Sequence, residues 1–342
     1  MSHFSSRSTT QSDEQHQHGP YRLLAIHAHP DDESSKGAAT MARYVDEGHR
    51  VKVLTCTGGE RGSILNPSMG PVEDMVRTRQ EEMAKAASVL GVEHEWLGYE
   101  DSGLPEGDPL PPLPEGCFAL EDTEDVTQRV VKVVREFRPH VIITYDENGG
   151  YPHPDHIKVH AVSMRAYEAA ADPDYHPELG EPWEVKKVYY THGFIRRRFE
   201  LLAEALEARG TELRPEVRDH LDLWRTMPDI FPRVTTRVRV GDWFDRRDDA
   251  LRAHQTQVDP EGPFFLGDSD LQREIWPTEE FELAESRVRT SLPETDLFAG
   301  LDGNSDSESG ALESDEESSA EQGAEHAEHG AEQRTDKLGV RS

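Results

Sequence analysis

The chain is poor in cysteine and in long apolar runs, and each shortage excludes a class of protein. Its 342 residues include two cysteines, Cys56 and Cys117, which are far apart in sequence. They match neither a disulfide framework nor a paired Cys-x-x-Cys zinc site. The first 20 residues lack the apolar run of a secretory signal, and no segment approaches the ~20 apolar residues of a membrane-spanning helix. These shortages favour a cytoplasmic protein that has no membrane partner.

Basic residues are scarce relative to acidic ones. The chain has 37 Lys and Arg against 68 Asp and Glu, a formal charge of −31. Affinity for nucleic acid comes from basic side chains that neutralise phosphates, so this balance argues against a nucleic-acid partner. A chain of this length buries a core large enough to fold without a metal, so any metal is expected to serve chemistry. Nothing in the composition specifies an oligomeric state.

Composition divides the chain into three regions. Residues 1–20 are polar and rich in Ser, Gln and His, which predicts a disordered N-terminal arm. Residues 298–342 are rich in Ser, Glu, Gly and Ala, which predicts a disordered acidic tail. One folded domain is expected at residues 21–297, with the motifs in residues 21–192 and a helical and strand part in residues 193–297.

Strands and helices alternate through the first part of this domain. Strands are predicted at residues 21–27, 51–55, 95–97, 141–145 and 185–191, and helices at residues 34–48, 73–90, 124–138 and 155–171. Beyond residue 192 the pattern predicts helices at residues 199–209 and 243–257 and a strand at residues 234–240. The alternation predicts an α/β fold with a Rossmann-like, mostly parallel sheet and helices on both faces.

Two clusters of His and Asp follow predicted strands. The first cluster is HAHPDDE at residues 27–33, and the second is YPHPDH at residues 151–156, shortly after the strand that ends at Tyr145. Proteins of the α/β class bind ligands at the carboxyl ends of parallel strands, where both loops would lie. The sequence therefore predicts that the two clusters form one site.

The residue types in these clusters suit a catalytic zinc. His and Asp are zinc ligands, and a catalytic zinc keeps three protein ligands with one position open for water. Pro30 fixes the backbone, so Asp31 and Asp32 can point in different directions. One carboxylate could then bind metal while Asp31 takes a proton from water, and His153 could steady an oxyanion or protonate a leaving amine. This set of groups is suited to amide hydrolysis.

A purely structural role for the same residues is the alternative. A lone His-x-x-His is common on protein surfaces, and Asp32 or Asp155 could simply cap the helix that follows. Two such loops, each after a strand and before a helix, are harder to explain as two independent caps. The coincidence favours a metal site.

Together these residues resemble the LmbE-like (PIG-L-type) zinc N-deacetylases. The resemblance rests on AHPDDE at residues 28–33 and HPDH at residues 153–156, and it follows the order of elements over residues 21–290. It implies one Zn²⁺, or Fe²⁺ in its place, bound by His29, Asp32 and His156. It also implies that Asp31 is the general base, that His153 is the general acid or oxyanion partner, and that Tyr151 assists the oxyanion.

The resemblance further implies a substrate class. TGGERG at residues 57–62 and ILNP at residues 64–67 are similar to members of the family that act on thiol conjugates. These cleave the amide between glucosaminyl-inositol and an S-substituted N-acetylcysteine, releasing a mercapturic acid in detoxification. Arg79 and Asp101 resemble residues that hold sugar and inositol hydroxyls, and Lys36 is expected to favour conjugates over a simple acetyl substrate. Arg79 and Lys36 could instead be solvated residues on a helix surface.

Two other functions remain open. The first is deacetylation of N-acetyl-glucosaminyl-inositol by the same chemistry, against which Lys36 and the ILNP segment speak. The second is a non-catalytic Rossmann-like module that binds a sugar or nucleotide and uses the His and Asp loops structurally. The presence of both Asp31 and His153 disfavours this module, because a structural site needs neither.

Overall fold

The computed structural model describes residues 20–226 and 228–302. The predicted N-terminal arm and the predicted acidic tail lie almost entirely outside these residues. The described part is built on one seven-stranded sheet with the order β3-β2-β1-β4-β5-β7-β6. Its strands are β1 (Arg22–His27), β2 (Arg50–Thr57), β3 (Glu93–Tyr99), β4 (Val141–Thr144), β5 (Lys187–Thr191), β6 (Thr236–Arg239) and β7 (Thr278–Ser286).

The first five strands of the sheet run parallel, which confirms the predicted Rossmann-like fold. β1 lies at the centre and pairs in parallel with both β2 and β4. The loops after β1 and β4 therefore open at the same edge of the sheet. β7 pairs antiparallel with β5 and with β6, so the sheet is mixed at its other end.

Helices cover both faces of the sheet, as predicted. They are α1 (Asp32–Ser35), α2 (Ala38–Asp46), α3 (Met75–Leu90), α4 (Thr123–Phe137), α5 (Pro154–Ala169), α6 (Arg196–Ala208), α7 (Pro215–Thr226), α8 (Phe244–Ala253) and α9 (Ser269–Ile275). Alternate residues of β1 point to opposite faces: Leu23 and Ala25 pack with α2, α3 and α8, and Leu24 and Ile26 pack with α4 and α5. None of the described helices is both long and apolar enough to cross a membrane.

The single helix predicted at residues 34–48 is instead two helices, α1 and α2. Lys36 and Gly37 separate them, and Gly37 has a φ of +90°. This left-handed backbone conformation is disfavoured for residues with a Cβ and ends the first helix. The break leaves α1 as one turn directly beside the first His and Asp cluster.

The folded part extends beyond the boundary predicted at residue 297. Phe298 is buried and its ring lies 4.9 Å from that of Tyr21 and 4.6 Å from that of Tyr44. Tyr21 also donates a hydrogen bond to Asp302. Residues 298–302 therefore pack onto the start of β1 and belong to the domain.

Candidate metal and catalytic site

Three side chains predicted to bind metal converge at the carboxyl edge of the sheet. His29 Nδ1 lies 3.2 Å from His156 Nε2, His156 Nε2 lies 3.4 Å from Asp32 Oδ2, and His29 Nδ1 lies 3.6 Å from Asp32 Oδ2. Zinc bonds of about 2.0–2.1 Å at tetrahedral angles place ligand atoms about 3.3 Å apart. The three atoms therefore have the spacing of one face of a zinc tetrahedron.

Hydrogen bonds leave the correct nitrogen of each histidine free for a metal. His156 Nδ1 lies 2.9 Å from the Gly149 carbonyl oxygen, to which it donates, so Nε2 keeps its lone pair. His29 Nε2 lies 3.3 Å from carboxylate oxygens of both Asp101 and Asp155, so it carries the proton and Nδ1 keeps its lone pair. Carboxylate partners of this kind orient histidine ligands and raise their basicity. Both histidines are thus held by hydrogen bonds in the orientation that a metal ligand needs.

His153 is a second candidate for the third ligand. The possible ligand atoms of His29, His153 and His156 all lie within 4.8 Å of one another. The same holds for a second group, formed by His29, His153, Asp101 and Asp155. The tetrahedral spacing of Asp32 Oδ2 from both imidazole nitrogens favours Asp32 as the ligand. His153 Nδ1 also accepts a hydrogen bond from the Asp155 backbone N–H at 3.2 Å, where it caps α5.

The Asp32 carboxylate accepts three hydrogen bonds and also lies beside the two imidazoles. Tyr145 donates its hydroxyl to Oδ2 at 2.6 Å, the His29 backbone N–H donates to Oδ2 at 3.1 Å, and Lys36 Nζ donates to Oδ1 at 2.5 Å. Burial alone would raise the pKa of Asp32, but Lys36 and His156 hold it well below its usual range. Asp32 is therefore ionised. Lys36 is buried and contacts this carboxylate, where the sequence predicted a substrate contact or a solvated surface.

Asp31 is on strained backbone beside the candidate ligand Asp32, and its side chain is 27% exposed. Its φ of 116° lies in a region that residues with a Cβ rarely occupy. Burial raises the pKa of Asp31 above its usual value, although Arg79 opposes the shift. Asp31 therefore combines access to the site with a greater proton affinity than an ordinary aspartate.

Arg79 fixes this strained loop. Its Nη2 lies 3.2 Å from Asp31 Oδ2 and donates to the Pro30 carbonyl oxygen at 2.5 Å, while Nη1 donates to the Gly59 carbonyl oxygen at 2.5 Å. Arg79 is 2% exposed. Arg79 is therefore not on a solvated helix face, and its contact with sugar hydroxyls stays a prediction. The three hydrogen bonds of the guanidinium are all to groups of the protein.

Gly59 makes room for the Arg79 side chain. Its φ is +63°, and a Cβ at this position would lie 2.2 Å from Arg79 Nη1. Glycine is therefore required at position 59 for space, because no residue with a Cβ fits beside the guanidinium.

His153 and Tyr151 lie next to the three candidate ligands with groups free to donate. Burial and the neighbouring imidazoles of His29 and His156 lower the pKa of His153 to about 3, so its imidazole is neutral near pH 7. Because Nδ1 accepts the helix N–H, Nε2 carries the hydrogen. The Tyr151 ring lies 4.7 Å from that of His156, and its hydroxyl has no hydrogen-bond partner in residues 20–226 and 228–302. Burial raises the pKa of Tyr151, which keeps its hydroxyl protonated.

Asp101 is buried and contacts groups of the protein on both of its carboxylate oxygens. It is 2% exposed, and its two oxygens accept hydrogen bonds from the backbone N–H groups of Arg61 and Gly103 at 2.9 and 2.8 Å. It also contacts His29 Nε2. The structure therefore places Asp101 against His29 and the backbone of Arg61, and its contact with sugar or inositol hydroxyls stays a prediction.

The contributions of Tyr145 and Asp155 to the site were not predicted from the sequence. Tyr145 was treated only as the end of a strand, and Asp155 only as a possible helix cap. The structure instead has His153 as the cap of α5 and Asp155 as a partner of His29. A tyrosine at the end of a buried strand, directly before the loop that carries the second cluster, was the available signal.

Two solved structures share the overall fold. N,N'-diacetylchitobiose deacetylase from Pyrococcus horikoshii has a TM-score of 0.51 at 17% identity, covering 77% of this chain and 83% of its own. A conserved protein from Thermus thermophilus has a TM-score of 0.50 at 20% identity, covering 78% of this chain and 96% of its own.

Residues 24–167 match the family described as PIG-L, GlcNAc-PI de-N-acetylase. A Streptomyces coelicolor protein named mycothiol S-conjugate amidase is 57% identical over 289 residues, which cover 83% of this chain and 98% of that relative. A Geodermatophilus obscurus protein named 1D-myo-inositol 2-acetamido-2-deoxy-alpha-D-glucopyranoside deacetylase is 43% identical, covering 82% of this chain and 98% of its own. The chain therefore belongs to the PIG-L family, and its relatives include both an amidase and a deacetylase.

Proposed function

We propose that this protein is a zinc-dependent amidase that hydrolyses mycothiol S-conjugates in the cytoplasm. The reaction would release glucosaminyl-inositol and a mercapturic acid. The observation that carries the substrate is the 57% identity to the mycothiol S-conjugate amidase, against 43% and 39% to two deacetylases at nearly the same coverage. The spacing of His29, Asp32 and His156 supports the metal-dependent chemistry.

His29, Asp32 and His156 would hold the metal. Two imidazole nitrogens and one carboxylate oxygen are donors that zinc accepts, and Fe²⁺ accepts the same donors. A bound zinc lowers the pKa of a water molecule and polarises the amide carbonyl. Tyr145, Lys36, Asp101 and Asp155 would keep the three ligands in their orientations.

Asp31 would act as the general base. Its carboxylate is the accessible one of the Asp31–Asp32 pair, and its raised pKa favours taking a proton from water. The proton could then pass to the leaving amine. Arg79 would serve this step indirectly, by holding both the backbone and the carboxylate of Asp31.

His153 and Tyr151 would stabilise the negative charge that develops on the carbonyl oxygen. A neutral imidazole with hydrogen on Nε2 donates one hydrogen bond, and the protonated Tyr151 hydroxyl donates another. Donors aimed at an oxygen as it gains charge lower the barrier. The contact of His153 Nδ1 with a backbone N–H supports this role over that of a general acid.

Lys36, Arg79 and Asp101 would act as positioning residues. Their charged groups bond to Asp32, to the Asp31 loop and to His29 respectively. The preference for thiol conjugates over the acetyl substrate would then need other groups of the site, and Lys36→Ala would change both activities in parallel.

The test compares two substrates on the purified zinc-loaded protein. Hydrolysis of a bimane conjugate of mycothiol and of N-acetyl-glucosaminyl-inositol would be measured as kcat/KM, with Asp31→Ala alongside. We expect the conjugate to be the better substrate and Asp31→Ala to be nearly inactive. A higher kcat/KM on the acetyl compound would indicate the deacetylase, hydrolysis of neither would indicate a binding module, and equal activity of the variant would contradict the mechanism.

A further inference from the structure

The peptide unit between Pro30 and Asp31 is hydrogen-bonded at both of its ends. The Pro30 carbonyl oxygen accepts from Arg79 Nη2 at 2.5 Å, and the Asp31 N–H donates to Glu33 Oε2 at 2.9 Å. The carbonyl and the N–H of a trans peptide point in opposite directions, so the two side chains hold this peptide plane from opposite sides. Rotation of the plane therefore breaks a hydrogen bond at each end.

The orientation of this plane sets the unusual φ of Asp31. A half-turn of the peptide, with both Cα atoms in place, would change φ from 116° to about −60°, which together with its ψ of −27° is an ordinary helical conformation. The same half-turn would point the Pro30 carbonyl oxygen away from Arg79, whose guanidinium also contacts the Asp31 carboxylate. The hydrogen bond to Glu33 opposes this relaxation.

Glu33 is in turn held by His254. Its Oε1 lies 2.7 Å from His254 Nε2 and also accepts a hydrogen bond from the Ser34 hydroxyl. Both Glu33 and His254 have 0% exposure. The Nδ1 atom of His254 has no hydrogen-bond partner among the residues that the structure describes, so Glu33 is the one side-chain partner of His254 there. His254 therefore acts on Glu33 and, through Glu33, on the Asp31 N–H.

Stability alone does not account for a buried pair of this kind. Removing a carboxylate and an imidazole from water costs free energy that their attraction repays only in part, and apolar residues of similar volume often stabilise a fold equally well. Buried pairs are retained in some proteins because they specify one conformation among several. The conformation specified here is the strained one at Asp31.

His254 reaches the site from beyond residues 24–167, which match the PIG-L family. It directly follows α8, and the segment after it is fixed to α3: Thr256 donates through its N–H and its hydroxyl to Glu82 at 2.8 and 2.7 Å. Glu82 lies about one turn after Arg79 on the same helix. The helix that carries Arg79 therefore also anchors the segment that carries His254, so both contacts to the peptide depend on one rigid frame.

We propose that Glu33 and His254 are positioning residues for the candidate base Asp31. Glu33 holds the Asp31 N–H and His254 holds Glu33, while Arg79 holds the other end of the peptide and the carboxylate. The role of Asp31 in proton transfer rests on the proposed function, whereas the contact with its backbone does not. Loss of the His254 contact lowers kcat through the placement of Asp31 and leaves KM and zinc affinity nearly unchanged.

The first test compares two substitutions of His254. Asn places its amide where Nδ1 is, too far from Glu33, whereas Gln extends its amide to about the position of Nε2. We expect the Asp31 N–H to exchange with solvent at least about tenfold faster in His254→Asn than in wild type, and nearly as slowly as wild type in His254→Gln. Site-resolved hydrogen exchange, followed by NMR on the zinc-loaded full chain, measures this. His140→Leu is the matched control, because His140 accepts the Arg22 N–H at 3.0 Å at the amino edge of the sheet.

The second test asks whether the contact acts through Asp31. On the mycothiol conjugate we expect His254→Asn to lower kcat roughly tenfold and His254→Gln to restore most of it. In an Asp31→Asn background, His254→Asn should lower kcat by less than about twofold, because no carboxylate is left to position. Equal losses in both backgrounds would overturn the positioning role, and so would a loss that comes from a higher KM or from weaker zinc binding.

Equal exchange rates of the Asp31 N–H in wild type and His254→Asn would overturn the contact itself. If His254→Asn does not fold, the wild type alone tests the contact, since an Asp31 N–H that exchanges as fast as in an unfolded chain would contradict its hydrogen bond to Glu33. A protected N–H in a protein that hydrolyses neither the conjugate nor the acetyl compound would contradict the proposed function and leave the backbone contact intact.

Discussion

The guanidinium of Arg79 binds both the carboxylate of Asp31 and the carbonyl oxygen of the residue before it. Asp31 has a φ of 116°, a conformation that costs about 1–3 kcal/mol and persists only where surrounding contacts enforce it. One buried side chain thus enforces the backbone and orients the candidate base. Within this loop the positive φ is at the residue that is proposed to take the proton.

Replacing Arg79 should separate positioning from substrate binding. Arg79→Lys keeps the charge but cannot bridge three acceptors, so we expect kcat to fall roughly 10- to 100-fold with KM nearly unchanged. Steady-state kinetics on the mycothiol conjugate measure this. Arg77→Lys is the control, because Arg77 lies on the same helix with its side chain 75% exposed. A rise in KM at constant kcat would instead indicate that Arg79 holds the substrate.

Substitutions of the adjacent residues Asp31 and Asp32 should have different effects on activity and on zinc content. Asp31→Asn removes the base but no candidate ligand, so kcat should fall by a factor of about 10²–10⁴ with zinc retained. Asp32→Asn weakens the metal site itself, so zinc content should fall as well. Metal analysis after gel filtration and activity assays on both variants measure the difference. Loss of zinc from Asp31→Asn alone would reverse the two assignments.

The Tyr145 hydroxyl should affect metal affinity. Tyr145→Phe removes the 2.6 Å hydrogen bond to Asp32 and leaves the Ala28 N–H without its acceptor. Loss of such a supporting contact typically weakens metal binding about 10- to 100-fold. Competition with a chelator measures the zinc Kd. Tyr190→Phe is the control, since the Tyr190 hydroxyl donates to Met164 Sδ and to none of the candidate ligands. Equal zinc affinity of the two variants would contradict the role of Tyr145.

Gly59 should be intolerant of a methyl group for a steric reason. Gly59→Ala and Gly48→Ala both place alanine at positive φ, but only at Gly59 would the Cβ meet another group, whereas nothing described lies within 4 Å at Gly48. We expect Gly48→Ala to lower the free energy of unfolding by about 1 kcal/mol and Gly59→Ala by at least about twice as much. Denaturant unfolding measures both, and equal losses would remove the steric argument.

The buried Glu33–His254 pair should make stability depend on pH. His254 Nε2 lies 2.7 Å from Glu33 Oε1. Burial alone would raise the pKa of Glu33, but His254 and other donors lower it to about 2, while Glu33 raises the pKa of His254. The stability from Glu33 is therefore present above its unfolded pKa of about 4.3 and is lost as pH falls toward 2. The stability from His254 is lost as pH rises through its raised pKa.

Glu33→Gln should consequently cost most between about pH 5 and pH 6, where both partners are charged. Urea unfolding of wild type and variant from pH 3 to pH 8 measures the difference in the free energy of unfolding. A difference that is constant across this range would show that the pair contributes through packing and hydrogen bonds alone.

The position of the site could be predicted because it follows from topology. His29 lies in the loop after β1, and His156 lies in the first turn of the helix that follows β4. Because β1 and β4 pair in parallel, the sheet brings the two histidines to one edge. The directions of Lys36, Arg79 and Asp101 could not be predicted in this way. A charged side chain near a site has the same sequence pattern whether its end meets substrate, solvent or a buried partner.

The last strand was missed for a related reason. β7 contains the buried pair Glu279 and Glu280 among few apolar residues, so it lacks the alternation expected of a half-buried strand. Partners on distant elements, including the first turn of α2, make their burial possible. Sequence alone does not show partners separated by about 240 residues.

The stacking of Phe298 on Tyr21 brings the two ends of the described chain together at the amino end of β1. The candidate metal ligands lie at the opposite, carboxyl edge of the sheet. The described domain is therefore suited to circular permutation: a short peptide could join residues 20 and 302, and new termini could be opened in a surface turn. The two ends of the described residues therefore lie at the opposite edge of the sheet from the candidate metal ligands.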